Sequence, residues 1–179
     1  VMEPSLNGGP DPFTFEGSAH LAYDLGTRRI GWSAMQTGVS VLWWRSVGHS
    51  HTAYAVETFL DEVLEAAGKD AIEGRLELLS AEATRERAVI EKVREISGWK
   101  GRKGENGKAY GFAFVKSFGS YVAQVAEVED KDGLPRVTRV WVAVDCGLAV
   151  NPNLITAQCE GGVGFALSTA LYSEITLAE

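Results

Sequence analysis

Residues 110–145 contain three consecutive runs in which apolar and polar side chains alternate along the chain. The runs are YGFAFVKSF, SYVAQVAEVE and RVTRVWVAVD, and DKDG, a strong hairpin-turn signal, joins the last two. Alternation with a period of two places successive side chains on opposite faces of a strand. This segment therefore predicts three strands, forming a largely antiparallel sheet in the second half of the chain.

The preceding segment, residues 50–98, predicts helices because its apolar residues recur with the helical period. The predicted inward face of the first helix consists of Val56, Phe59, Leu60, Val63, Leu64 and Ala67. A second, short helix follows Asp70 and would bury Ile72, Leu76 and Leu79. A third, at about residues 82–97, would bury Val89, Val93 and Ile96. Gly68 and Gly98 stand where the first and third helices would stop.

The remaining segments complete the predicted organisation. Residues 1–18 are rich in Gly, Pro and Asp and predict an irregular lead-in or linker, whereas residues 28–47 contain two short runs typical of strands. The sequence KGRKGENGK, residues 100–108, predicts an exposed loop, with phosphate binding as an alternative role. Asn151 and Pro152 predict the start of a final helix. The three glycines inside that helix indicate a close approach by another backbone or a ligand.

Together these elements predict an α+β fold with two layers, in which a mixed, largely antiparallel sheet carries helices on one side. Residues 19–179 would form the domain, with a mostly helical segment at 50–98 and a sheet-plus-helix segment at 108–173. The net charge of −7 argues against nucleic acid or an anionic membrane as a partner, so any bound anion must be held by a local cluster of donors. No run of 18 apolar residues and no signal peptide is visible.

The segment VLWWRSVGHSH, residues 41–51, carries the strongest candidate for binding chemistry. Arg45 stands between a predicted strand and a helix start near residue 51, where its guanidinium and the helix N–H groups would attract an anion. An ion pair with a core carboxylate such as Glu57 is the alternative. His49 and His51 could chelate a metal, but no third ligand is marked, and the sequence predicts no metal site.

Two other positions have competing interpretations. Gln158 has small or apolar neighbours in AQCEGGVGF, which indicate a buried amide with a partner. Cys146 follows a strand and could act as a hydrolase nucleophile, but no general base or nucleophile elbow accompanies it. Cys146 and Cys159 lack the spacing of a zinc site, so buried free thiols are expected.

The segments WRSVGHSH, VDCGLAVNP and AQCEGG, in this order, resemble the large subunit of the xanthine oxidase family of molybdenum hydroxylases, in particular the isoquinoline 1-oxidoreductase beta subunit with its nicotinate and aldehyde dehydrogenase relatives. The resemblance covers about residues 13–177 and implies that residues 19–179 are part of a molybdopterin-binding domain. It also implies a molybdenum pterin cofactor, in the cytosine dinucleotide form. The reaction implied is hydroxylation of N-heteroaromatic or aldehyde substrates with oxygen derived from water.

The resemblance assigns roles to individual residues of this chain. Arg45 matches the arginine of the A-F-R-G-F-G segment near the molybdenum oxygens, and Gly48 matches its last glycine. Gln158 matches the glutamine of the Q-x-E-G segment, whose amide contacts the cofactor. Arg29 falls where some members place a substrate-contacting arginine, although TRRIGW agrees poorly with them. Val47 replaces a substrate-stacking phenylalanine, so the substrate class cannot be transferred.

Three segments of the family are absent from this sequence: G-G-x-G, M-G-Q-G and the G-V-G-E segment whose glutamate is the general base. The chain is therefore expected to be an internal piece of a longer protein, inactive by itself and holding no cofactor. The parent would pair with an iron–sulfur small subunit, with a cytochrome as an electron acceptor, in a bacterial cytoplasm or periplasm. The isolated piece would self-associate through former interfaces. The alternative function is a non-catalytic binding or assembly module.

Overall fold

A computed structural model describes residues 11–33, 38 and 44–176, which form four α-helices, a short 3₁₀ helix and three strands. In chain order, the elements are the 3₁₀ helix Pro12–Thr14, α1 His49–Ala66, α2 Ala71–Glu77, α3 Thr84–Ser97, β1 Lys108–Ser117, β2 Ser120–Lys131, β3 Leu134–Asp145 and α4 Pro152–Leu171. The chain divides into two compact units, Val1–Asp145 and Cys146–Glu179. The sheet and α1–α3 belong to the first unit, and α4 belongs to the second.

The three strands pair antiparallel in the order β1-β2-β3, so the predicted strands are confirmed. Each hairpin closes through two residues with positive φ. These are Phe118 and Gly119 in the first turn, and Asp132 and Gly133 in the second. Positive φ at both central residues defines the type I′ turn, whose twist matches that of the flanking strands.

One face of the sheet forms the core with the helices. Phe112 lies opposite Val125 and Phe114 opposite Ala123, and all four side chains are buried. Helix α3 packs on β2 and β3, and α1 packs on β1. The fully buried side chains of the helices include Ile72, Ile90 and Val93. The predicted α+β fold is confirmed, and all pairing among the described strands is antiparallel.

The inward faces of α1 and α3 differ from the predicted faces. In α1, Phe59 and Val63 are exposed, whereas Glu57 is buried. The helix is rotated relative to the prediction because Arg75 of α2 pairs with Glu57 and Asp61 and draws this side of α1 inward. In α3, Ile90 is buried and Ile96 is exposed, because Ile96 lies in the last turn of the helix, beyond its contact with the sheet.

The first of the two predicted N-terminal strands does not form over residues 28–33, which are irregular and exposed. In the described part of this region, the strand-like pairing is a single bridge between Tyr23 and Leu79. An extended segment without a paired neighbour leaves its N–H and C=O groups to water and gains no sheet hydrogen bonds. In the rest of the region 28–47, the structure describes Gly38 and residues 44–47. Residues 34–37 and 39–43 lie outside the described residues.

Gly74 in α2 is explained by close helix packing. A Cβ atom at this position would lie 2.4 Å from Cδ2 of Leu64 in α1. The residue is buried, so the helix propensity lost at glycine is offset by the contact that it permits between α1 and α2. The short helix follows Asp70 as predicted, and Asp70 caps it, accepting hydrogen bonds from the N–H groups of Ile72 at 2.9 Å and Glu73 at 3.1 Å.

Candidate cofactor-binding site

Arg45 lies in a tight turn that leads directly into α1. The N–H of Val47 donates to the carbonyl of Trp44 at 3.0 Å, and the N–H of His49 donates to that of Ser46 at 2.9 Å. Val47 has a φ of 47°, an uncommon conformation for a β-branched residue. The helix thus begins at His49, earlier than predicted, and the exposed Arg45 side chain lies just before its first turn.

The electrostatics of this turn suit an anion. Within the part of the chain that the structure describes, no side chain caps the N-terminus of α1. Arg45 is exposed and lies four positions before the first residue of α1, so its charge adds to the positive end of the helix dipole. Glu57, the alternative partner considered for Arg45, is buried in the core, where its carboxylate bonds to Arg75 and to the N–H of Phe114.

Gly48 is required by packing against the N-terminal lead-in. It is buried, and a Cβ atom there would lie 2.1 Å from the carbonyl oxygen of Phe13 and 2.9 Å from Cβ of Glu16. Any larger side chain would displace residues 13–16 from the start of α1. This contact accounts for the glycine without a bound ligand.

The two histidines that follow Gly48 contact the lead-in as well. His49 Nδ1 lies 3.4 Å from Oε2 of Glu16, and His51 Nε2 lies 3.2 Å from the carbonyl oxygen of Thr14. The Thr52 hydroxyl donates to the Glu16 carbonyl at 2.7 Å. Among the described residues, no group of three or more His, Cys, Asp or Glu side chains is arranged to hold a metal. The histidines therefore fasten residues 11–18 to α1.

Gln158 lies on α4, in the second unit, and is exposed, so the prediction of a buried amide is wrong. Helix α4 has no buried residue among those described, so the small neighbours of Gln158 are not buried either. Gly161 and Gly162 follow Gln158 by three and four positions, so they lie on the same helix face. A Cβ atom at either would meet nothing within 4 Å. Beside the amide, the helix backbone is thus open to an approaching group.

The remaining candidate residues are Arg29 and the two cysteines. Arg29 is exposed in the irregular segment 28–33. Cys146 is exposed in the loop before α4, so the expectation that both thiols are buried is wrong. Cys159 is half-buried, and burial raises the pKa of its thiol. Arg45 and Gly48 share one turn in the first unit, whereas Gln158 belongs to the second unit.

A buried charge cluster was missed by the sequence analysis. Arg75 is fully buried, with Nε 3.0 Å from Glu57 Oε2 and Nη1 2.7 Å from Asp61 Oδ1. Its guanidinium also lies over the ring of Phe112, 5.2 Å from the centroid. Burial raises the pKa of Glu57, although the positive charge of Arg75 opposes that shift. The sequence contains one signal for this cluster. Glu57 and Asp61 are four residues apart, so they share a helix face, close to the buried positions Leu60 and Leu64.

Asp61 and Asn151 each hold part of the fold rather than part of a site. Asp61 also pairs with Arg102, at 2.7 Å from its Nη2, which ties α1 to the loop before β1.

The Asn151 side chain accepts from the N–H groups of Asn153 at 3.1 Å and Leu154 at 3.3 Å, so the predicted start of the final helix is confirmed.

Comparison with known proteins defines the class to which this chain belongs. Residues 49–179 match the model of the molybdopterin cofactor-binding domain family, so the chain belongs to that family. The match begins at the first residue of α1 and includes α4. No solved structure matches the chain.

Three curated relatives are similar over nearly the whole chain. The beta subunit of isoquinoline 1-oxidoreductase from Brevundimonas diminuta is 32% identical over 173 residues, covering 94% of this chain. The membrane-bound aldehyde dehydrogenase [pyrroloquinoline-quinone] of Gluconacetobacter polyoxogenes is 29% identical, covering 96%. A subunit of nicotinate dehydrogenase from Pseudomonas putida is 29% identical, covering 95%. The chain spans only 22%, 25% and 16% of the lengths of these relatives. None of the described helices is long and apolar enough to cross a membrane.

Proposed function

We propose that this chain is a part of the molybdenum-cofactor-binding subunit of an oxidoreductase that hydroxylates N-heteroaromatic or aldehyde substrates with oxygen derived from water. The observation that carries the proposal is the match of residues 49–179 to the molybdopterin cofactor-binding family. The three relatives, named as an oxidoreductase and two dehydrogenases, support a redox reaction. Their names cite different substrates, so the proposal covers a substrate class.

Arg45 and Gln158 are the residues proposed to hold the cofactor, in its cytosine dinucleotide form. Arg45 would bind an anionic oxygen of the cofactor together with the N-terminus of α1, and the amide of Gln158 would form a hydrogen bond to it. The open backbone at Gly161 and Gly162 leaves room for a group beside that amide. When bound, the cofactor would supply the two-electron oxidation of the substrate. Arg29 is proposed as a substrate contact.

The family resemblance also suggests the partners of the parent enzyme. Residues 19–179 would form part of its molybdopterin-binding domain, and an iron–sulfur small subunit would carry electrons away, with a cytochrome as acceptor. Two of the relatives are named as subunits, which supports a multi-subunit enzyme. The 179 residues alone are proposed to be inactive, because they contain no G-V-G-E glutamate to accept a proton, and such bases typically contribute about 10²–10⁴-fold in rate.

The test starts from the native gene product that contains this chain, purified with its partner subunits. We expect stoichiometric molybdenum by plasma mass spectrometry and a pterin cytosine dinucleotide by liquid chromatography. Turnover of isoquinoline, nicotinate or an aldehyde in ¹⁸O-labelled water should place the label in the product. A native product without molybdenum or pterin would contradict the proposal and favour a non-catalytic binding or assembly module.

Two substitutions test the assigned residues in that enzyme. Arg45→Met and Gln158→Leu should each lower the molybdenum bound per protein, because each removes a polar contact to the cofactor. Lys92→Met is the matched control, since Lys92 is an exposed side chain paired with Glu95 on the surface of α3. Molybdenum content equal to that of the control in both variants would remove Arg45 and Gln158 from the proposed site.

A further inference from the structure

The loop between α3 and β1 lines an open cavity that the cofactor assignment does not use. The cavity has a volume of about 400 Å³ and is lined by residues of the segment 98–108 and by Tyr110. This volume lies within the range of about 300–1,000 Å³ that is typical of small-molecule sites. It is the segment for which the sequence left phosphate binding as an alternative.

The aromatic wall of the cavity is fixed in place by hydrogen bonds. The indole N–H of Trp99 donates to Oδ2 of Asp70 at 2.9 Å, and the hydroxyl of Tyr110 donates to Glu127 at 2.9 Å. The two rings meet edge to face, with centroids 6.5 Å apart. A Cβ atom at Gly104 would lie 2.6 Å from Cε2 of Tyr110, so the loop can rest on this ring only with glycine there. The wall is therefore formed before any ligand binds.

The charges on the lining are mostly positive. Lys100, Lys103 and Lys108 line the cavity, and Glu105 is the acidic residue among the lining positions described. Lys108 pairs with Glu127 at 2.8 Å, whereas in the described part of the chain neither Lys100 nor Lys103 forms an ion pair. Because Glu127 pairs with Lys108, the charges left on the lining are those of Lys100, Lys103 and Glu105, which leave an excess of positive charge.

We infer that this cavity binds a small phosphorylated molecule that carries at least two negative charges. Lysine ammonium groups are compact cations that bind phosphate oxygens with charge-assisted hydrogen bonds. The glycines at 98, 101 and 104 keep the loop backbone close to the cavity without side chains that would fill it. A long polyanion such as nucleic acid is disfavoured, because the net negative charge of the protein would repel every phosphate outside the cavity.

Titration of the purified protein with pyrophosphate, followed by calorimetry and by ³¹P nuclear magnetic resonance, tests this inference. We expect saturable binding of one pyrophosphate that weakens as NaCl is raised. The double variant Lys100→Gln/Lys103→Gln should weaken binding by about tenfold, because two cations are lost. Glu105→Gln should strengthen it, because the repelling carboxylate is removed. Lys131→Gln, at an exposed lysine where β2 ends, is the matched control and should leave affinity unchanged.

ADP and adenosine separate phosphate binding from binding to the aromatic wall. ADP should bind at least as tightly as pyrophosphate, and adenosine should bind far more weakly than either. Equal affinity for ADP and adenosine would overturn the inference, and so would pyrophosphate binding that is reduced equally by Lys131→Gln and by the double variant. Circular dichroism melting of each variant confirms that the fold is retained. The titration needs no molybdenum, so its outcome is independent of the proposed function.

Discussion

The first unit buries charged side chains, whereas the helix of the second unit leaves large apolar side chains exposed. Arg75 in α2 is 0% exposed and lies between Glu57 and Asp61. In α4, by contrast, Leu154 is 62% exposed and Phe165 is 61% exposed. Burial in this molecule therefore follows the partners available to each helix rather than the hydropathy of its residues.

This difference agrees with the composition of the helices. Helices α1 and α3 each combine buried apolar positions with exposed charged ones, as expected for helices that pack on one side of a sheet. Helix α4 contains one charged residue, Glu160, and its apolar residues are distributed all round. Helices apolar on every side are generally buried on every side. The composition of α4 thus supports the proposal that it functions inside a larger assembly.

The largest expected effect on stability is at Arg75. Arg75→Met would leave the buried carboxylate of Glu57 without its cation, whereas Asp61 would keep its pair with Arg102. Breaking one half of a buried ion pair typically costs about 3–5 kcal/mol. Urea unfolding followed by tryptophan fluorescence measures this loss.

The matched control for Arg75 is Lys92→Met, which removes the same charge from an exposed pair on α3 and should cost less than about 1 kcal/mol. Adding Glu57→Gln to Arg75→Met should recover part of the stability, because no buried charge then lacks a partner. If Arg75→Met and Lys92→Met cost the same, the buried pair contributes nothing to the contrast between the two units.

The second effect compares two isoleucines on the same helix. Ile90 in α3 is 0% exposed, and Ile90→Ala should cost about 3 kcal/mol through lost burial and the cavity left behind. Ile96→Ala should cost less than about 1 kcal/mol, because Ile96 is 41% exposed. Urea unfolding of both variants, under identical conditions, gives the two values. A larger loss of stability at Ile96 than at Ile90 would support the predicted inward face of the helix, which includes Ile96.

A third prediction concerns the pH dependence of the first unit. Hydrogen bonds from Lys108 and Thr138 lower the pKa of Glu127 from its ordinary value of 4.5 to about 2. A carboxyl whose pKa is lower in the folded state stabilises the fold above its unfolded pKa, and this contribution is lost as the pH falls toward the folded value. The urea midpoint should therefore fall between about pH 5 and pH 2.

Glu127→Gln should reduce this pH dependence, because glutamine does not titrate. Glu129→Gln serves as the control, since Glu129 is partly exposed and pairs with Arg136 at 3.4 Å. If acid lowers the urea midpoint of Glu127→Gln as much as that of the unsubstituted protein, then other carboxyl groups cause the fall.

The sheet and the helix ends could be predicted because their signals are local. The alternation in β1–β3, the DKDG turn and the caps at Asp70 and Asn151 depend on neighbouring residues alone. The rotation of α1 could not be predicted, because it depends on a guanidinium eighteen residues from Glu57 in sequence. The exposure of Phe59 follows from that long-range contact.

The candidate site was predictable in part. The anion-attracting turn at Arg45 follows from an arginine and a glycine before a helix, and the structure has Arg45 exposed at that helix start. The contact of Gly48 with the carbonyl of Phe13 joins residues 35 positions apart, and no local pattern indicates it. The burial of Gln158 was predicted wrongly because burial depends on what packs against α4, and a sequence pattern within one helix does not contain that information.

The smallest expected effect makes the same chemical change in both regions. Leu154→Ala in α4 should change the free energy of unfolding by less than about 0.5 kcal/mol, because the exposed side chain loses little burial. Leu64→Ala in α1 should cost about 2–5 kcal/mol, because Leu64 is 4% exposed and packs against Gly74. Sedimentation velocity should also show weaker self-association for Leu154→Ala, since exposed apolar side chains promote it. A loss at Leu154 as large as that at Leu64 would mean that α4 is stabilised by packing within this chain, and the contrast between the units would fail.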